Sequence, residues 1–114
     1  MMEALRIDGM PAEPLAAAAH FHTHWLPEAT AILAQGAPAL VLVFPPADHT
    51  HREWRLAAVQ GLARRFAPAR VNALASGEEH AIAAATGYLA RAPGVTGQYL
   101  PLDGTGAGEV LLVP

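Results

Sequence analysis

The sequence predicts an α/β domain of three layers, with helices on both faces of a parallel sheet of about three to four strands. Three observations carry this expectation. Ala39-Leu-Val-Leu-Val-Phe44 is an unbroken apolar run closed by Pro45-Pro46, the pattern of a strand buried on both faces of a parallel sheet. Strand-like and helix-like segments alternate along the chain with short joins between them, as crossover connections require. No internal repeat or low-complexity linker divides the chain, so residues 1–114 are expected to form a single domain.

A short strand is expected at Ala4–Asp8. A helical stretch follows from Pro14, because proline suits a first turn whose N–H lacks an intrahelical partner anyway. The run Leu15–Gln35 ends at Gly36, a suitable left-handed C-terminal residue. Pro27 lies inside it and should kink or divide it by displacing the carbonyl of Thr23. Leu15, Ala18, His22, Trp25, Ala29 and Ile32 follow helical spacing along one face. After the Ala39–Phe44 strand, Thr50-His-Arg-Glu53 reads as a capping box opening a helix to about Phe66. Its apolar stripes are Trp54, Ala58, Gly61 and Leu62, flanked by Leu56, Val59 and Ala63. Arg70–Ala75 is the next strand. Ser76-Gly-Glu-Glu79 reads as a second capping box, starting a helix to about Arg91. Pro93-Gly94 turns the chain into a last strand at Gln98–Leu102. The tail Gly104–Gly108 and Val110–Val113 has no clear assignment.

Hydrophobic residues make up 53% of the 114 and charged residues only 15%. So small a chain has a high surface-to-volume ratio, and the excess of apolar surface points to cover by another subunit. A formal charge of −3 with no basic cluster gives no nucleic-acid footprint. No apolar run approaches the roughly 18 residues of a spanning helix, and Met1–Met10 lacks the features of a signal peptide. No membrane role and a cytoplasmic location are the expectations. With no cysteine, disulfides and thiolate metal sites are excluded. All seven basic residues are arginine, so no lysine is present for chemistry.

Arg70-Val-Asn-Ala-Leu-Ala-Ser-Gly77 resembles the RVNAxxPG segment of short-chain dehydrogenases/reductases, and Val95-Thr-Gly-Gln-Tyr-Leu-Pro-Leu-Asp-Gly104 resembles their VTGQxxxxDGG segment. Between these, residues 78–93 are similar to the last helix of that family. Leu56–Pro68 is similar to the helix that carries its catalytic Tyr and Lys. The matches span roughly residues 39–104 in the right order, and the wording around Arg91–Gln98 is most similar to the pteridine-reductase-like branch. The resemblance implies a partial Rossmann-like fold, with this chain holding the later strands of a truncated domain.

It also implies a set of departures. The family's nucleotide-binding turn is glycine-rich and presents N–H groups to the pyrophosphate, whereas here Gly9 is followed by no glycine until Gly36. In the family a Tyr moves the proton and a Lys four residues on lowers its pKa. Aligning the helix puts Arg52 at the Tyr position and Leu56 at the Lys position. Phe44-Pro45-Pro46 stands where a Ser normally follows the strand, Thr23 falls near the supporting Asn, and the substrate-binding insert is missing because Gly77 runs directly into Glu78. No catalytic residue and no cofactor are therefore expected, and the chain reads as a degenerate, non-catalytic member.

Among candidate sites, His20-Phe-His-Thr-His24 is the sharpest. On a helix His20 and His24 lie one turn apart on one face, and such imidazoles can share a zinc-like ion. Glu28, Glu13 or a symmetry-related His would have to supply a third ligand. The plainer alternative is two surface histidines and a half-buried His22. Asp48-His-Thr-His51 offers a second pair, but Thr50 is better used as a cap and Asp48 as a turn residue. Arg52, Arg55, Arg64 and Arg65 read as a solvated or interface face rather than an anion site. Asn72 and Asp103 match family positions as structural strand and turn residues. Tyr88 and Tyr99 read as packing residues.

Subunits of the resembling family pair through two long helices, equivalent here to 15–35 and 50–66, in a four-helix bundle. The implied partner is a second copy of this chain or a full-length reductase, with Gly61 and the alanine-rich faces permitting close approach. The alternatives are a subunit completing an NAD(P)-dependent oxidoreductase complex, with pterin chemistry suggested by the branch resemblance, and a metal-binding module built on the His cluster.

Overall fold

In the computed structural model, which describes residues 2–102, the elements follow one another as strand and helix in turn. They are β1 (Met2–Arg6), α1 (Pro14–His20), a π-helical turn (Phe21–Trp25), α2 (Leu26–Ala34) and β2 (Ala39–Phe44). There follow a 3-10 turn (His49–His51), α3 (Arg52–Arg65), β3 (Arg70–Ala75), α4 (Glu79–Ala90) and β4 (Tyr99–Pro101). The four strands form one sheet in the order β1-β2-β3-β4, every pair parallel. The expected Rossmann-like architecture is present. Asp103, the glycine tail and Val110–Val113 lie outside the described residues.

Alternation along the strands builds the two halves of the core, because successive side chains point to opposite faces. Leu40, Leu42 and Phe44 of β2 and Val71, Ala73 and Ala75 of β3 meet Phe21, Ala29 and Leu33 on one face, with Val59 and Leu62 of α3. Val41, Val43 and Leu74 meet Ile82, Ala85 and Leu89 of α4 on the other. All six residues of β2 are buried, as its unbroken apolar run predicts. Asn72, turned into the α4 face of β3, joins the two family-like segments. Its Nδ2 donates to the Val95 carbonyl and its Oδ1 accepts from the Gln98 N–H, both at 3.0 Å. Thr96 Oγ1 accepts from the Val71 N–H at 3.0 Å. The Arg70 guanidinium ties down the C-terminal end of α4 by donating to the Leu89 carbonyl and to that of Ala92 just beyond the helix.

Several expectations shift. The first strand runs Met2–Arg6 rather than Ala4–Asp8, although Ile7 still bonds Val43 and is buried. The break in the first helix is a π turn ahead of Pro27, and the Leu26 N–H reaches back five residues to the Phe21 carbonyl. Pro27 lacks an N–H and its ring crowds the carbonyl four residues earlier, so widening the preceding turn relieves both problems. The inner stripe is then Ala17, Phe21, Trp25, Ala29 and Leu33 rather than the face containing Leu15 and His22. Leu15 is 80% exposed and His22 is exposed. Gly36 ends α2 as expected, at φ 101°, and its N–H and that of Ala37 return to the Leu33 and Ile32 carbonyls. Those two bonds make the Schellman closure that only a left-handed residue permits cheaply.

Neither capping box forms. Asp48 caps the 3-10 turn by accepting from the Thr50 N–H at 2.9 Å, and the Thr50 hydroxyl also donates to it. Ser76 Oγ accepts from the Glu78 N–H at 3.0 Å, while Glu79 pairs with Arg6 at 2.7 and 2.9 Å. The Asp48 carboxylate takes both the N–H and the hydroxyl proton of Thr50, so that hydroxyl caps nothing itself. Glu13 caps α1 in the same way, accepting from Leu15 and Ala16.

Glu13 is held below the ordinary carboxylate range by the Ala16 and Leu15 N–H groups, Asp48 by the Thr50 hydroxyl and N–H, and Glu79 by the Arg6 guanidinium. Each therefore binds a proton more readily unfolded than folded. The stability they add is present above the unfolded pKa and is lost as pH falls through the lower folded value. The thermal midpoint is expected to decline once pH drops below about 4.5, the ordinary value for Glu. Glu13→Gln, which keeps an acceptor but no titrating group, should make that decline shallower in circular dichroism melts between about pH 7 and 3. An unchanged slope would remove the Glu13 cap from the acid response.

Candidate functional site

Open parallel sheets bind ligands beyond the carboxyl ends of their strands, so that edge is the place to look for chemistry. The carboxyl end of β2 is occupied by the protein itself. The Phe44 ring is fully buried, with Phe21, Trp54 and Tyr99 packed around it at centroid distances of 5.5, 5.6 and 6.4 Å. Over it lies the Arg55 guanidinium, 4.5 Å from the Phe44 centroid. Its Nη1 donates to the Pro45 carbonyl at 2.9 Å and to the Tyr99 hydroxyl at 3.1 Å.

Arg55 is 2% exposed, in contrast to the solvated or interface face expected for it. Arg52, Arg64 and Arg65 do lie exposed. Nε of Arg55 is buried without a partner, and the one ion pair among the described residues is Arg6 with Glu79. The charge is therefore held by ring faces, which attract cations, and by two neutral oxygens.

One turn earlier His51 is also buried. Its Nε2 lies 3.1 Å from the Ala12 carbonyl and its Nδ1 accepts from Trp54 Nε1 at 3.2 Å. That network assigns the proton to Nε2 and leaves no nitrogen free for proton transfer. His51 and Arg55 have the four-residue spacing of the family-like Tyr and Lys and face inward. Arg52 is exposed and Leu56 only half-buried. The inward-facing pair at this spacing is thus one residue away from Arg52 and Leu56.

The other candidates fall as follows. Tyr99 is a packing residue with a hydrogen-bonded hydroxyl, whereas Tyr88 is 45% exposed on α4. Thr23 stands exposed on the π turn. His20 is half-buried and His24 exposed, their ring centroids 4.4 Å apart, and no group of three or more His, Asp or Glu able to hold a metal occurs among the described residues. His22 Nδ1 meets the Ala18 carbonyl at 2.7 Å. Shallow clefts of about 280 Å³ (Leu33, Pro38, Phe66) and 360 Å³ (Gln60, Arg64, Thr96) open at the amino end of the sheet, away from the Phe44–Arg55 cluster.

A family model described as short chain dehydrogenase-like protein (SDR-like) matches residues 5–102. The chain belongs to that family. The match reaches upstream of residue 39 and takes in the end of β1 and the first helix, beyond the span the motifs alone cover. No curated protein and no solved structure matches it. No helix among the described residues of this SDR-like chain is long and apolar enough to cross a membrane.

Proposed function

We propose that this SDR-like chain is non-catalytic and works by association, pairing the outer faces of α1–α2 and α3 with a second copy of itself or with a full-length reductase of the same family. The observation that supports it most is the His51–Arg55 pair. At the spacing of the family's acid–base dyad stand two side chains bonded into their own core, beneath rings that fill the edge where a ligand would lie. Both residues are buried, His51 at 7% and Arg55 at 2% exposure. Pairing is supported by the surface. Leu15 is largely exposed, Ala19 and Ala57 are exposed, and a Cβ built on Gly61 would meet nothing within 4 Å. A helix face so small in side chains allows close interaxial approach.

Size-exclusion chromatography with light scattering at micromolar concentration is expected to give the mass of a dimer, or a stable complex when a full-length reductase is co-expressed. Gly61→Arg should abolish the association while leaving the thermal midpoint unchanged or raised, since leaving glycine in a helix interior gains up to about 1 kcal/mol. A wild-type monomer that captures no reductase would sink the pairing, and NADPH oxidation by the isolated chain would sink the non-catalytic reading.

A further inference from the structure

His20 and His24 have no part in the reading above. They leave the helix one turn apart, His20 as the last residue of α1 and His24 within the π turn. Their rings stand 4.4 Å apart between centroids at a tilt of 42°. Two nitrogens bound to one tetrahedral zinc at 2.0–2.1 Å are separated by roughly 3.3 Å, a spacing that rings so placed can present. His22 beside them has Nδ1 committed to the Ala18 carbonyl, while His51 is committed at both nitrogens. The nitrogens of His20 and His24 make no hydrogen bond to the described chain.

Since no third His, Asp or Glu joins them among the described residues, one chain offers half of a tetrahedral set. Structural zinc sites are closed with four ligands, and imidazole suits zinc, copper and nickel alike. A two-fold axis places the same patch opposite itself, and two such pairs make four imidazoles. Around them Ala16, Ala19 and Thr23 are exposed and small, leaving room for the second helix.

We infer that His20 and His24 from two chains together bind one divalent transition-metal ion of the zinc class, in a site that exists only between copies. This rests on the pairing reading and narrows it, because it selects a second copy over a reductase as the occupant of the α1 face. The site would fasten a homodimer without any chemistry at the sheet edge.

Untagged, EDTA-stripped protein titrated with Co²⁺ tests it, read by visible absorption and by sedimentation velocity. The expected result is the absorption of a tetrahedral nitrogen site saturating at one ion per two chains, with dimerisation tightened at least about tenfold by mass action. His20→Ala and His24→Ala should each remove both effects, with folding checked by circular dichroism, while His22→Ala keeps both. Saturation at one ion per chain without a change in mass would overturn the inference, as would equal loss in His22→Ala. A dimer that forms without metal and takes up no Co²⁺ overturns it and leaves pairing standing. A monomer under every condition overturns both.

Discussion

Arg55→Met is expected to unfold within about 1.5 kcal/mol of the wild type, and Arg55→Ala to lose roughly 3 kcal/mol or more. The two substitutions remove the same charge and the same hydrogen bonds, so the comparison isolates volume. In Arg55→Ala the Phe44, Trp54 and Tyr99 rings lose the group that packs over them, and a cavity remains. In Arg55→Met a flexible side chain refills it. Loss of the bonds to the Pro45 carbonyl and Tyr99 hydroxyl costs about 1.5–3 kcal/mol each at most. Against that stands relief from burying a cation with no carboxylate partner, a desolvation cost of several kcal/mol per ion that methionine does not bear. Urea unfolding at constant m-value measures both, and the alanine variant should melt about 12 °C lower or more. If the methionine variant falls as far as the alanine one, the hydrogen bonds rather than packing hold the sheet edge together.

Arg55 also marks where sequence reasoning runs out. Arginine is almost never fully buried unless paired, and its partners here lie 10 and 44 residues away along the chain, so nothing local announces its burial. The three-layer fold was legible because β2 is buried on both faces, and a doubly buried strand reads as an almost unbroken apolar run. The strand Arg70–Ala75 was legible to the residue for a related reason. Its Asn72 is buried but satisfied by the Val95 and Gln98 backbone, so the polar position sits inside an otherwise apolar run. Helix starts were less legible. A hydroxyl followed three residues later by Glu fits a capping box at both Thr50 and Ser76, yet Asp48 outcompetes the first and the Arg6 pairing draws Glu79 away from the second. The four-residue step from His51 to Arg55 fits the dyad spacing as well as Arg52 to Leu56 does, and that the former pair is the buried one is a tertiary property no local pattern carries.

The inner face of the first helix was misplaced for a reason that can itself be tested. An α-helix turns about 100° per residue, so a stripe at every fourth position drifts by about 40° at each step. Ala17, Phe21, Trp25, Ala29 and Leu33 would spread over about 160° of an uninterrupted helix, too wide for one face to meet the sheet. The π turn at Phe21–Trp25 takes in one extra residue and returns the later positions by about 100°, gathering the stripe within about 80°. Deleting exposed Thr23 together with Pro27→Ala should therefore yield a continuous α-helix that keeps the same buried residues, with stability equal to the wild type or higher. Deleting Ala31 shortens the chain by the same one residue but lies beyond the π turn. It swings Leu33 about 100° off the core, exposing a side chain now packed against β2, and should cost about 3 kcal/mol or more. Both variants are read by chemical denaturation and by helical content in circular dichroism. If the two deletions proved equally costly, the π turn would be a consequence of Pro27 alone and not what aligns the helix with the sheet.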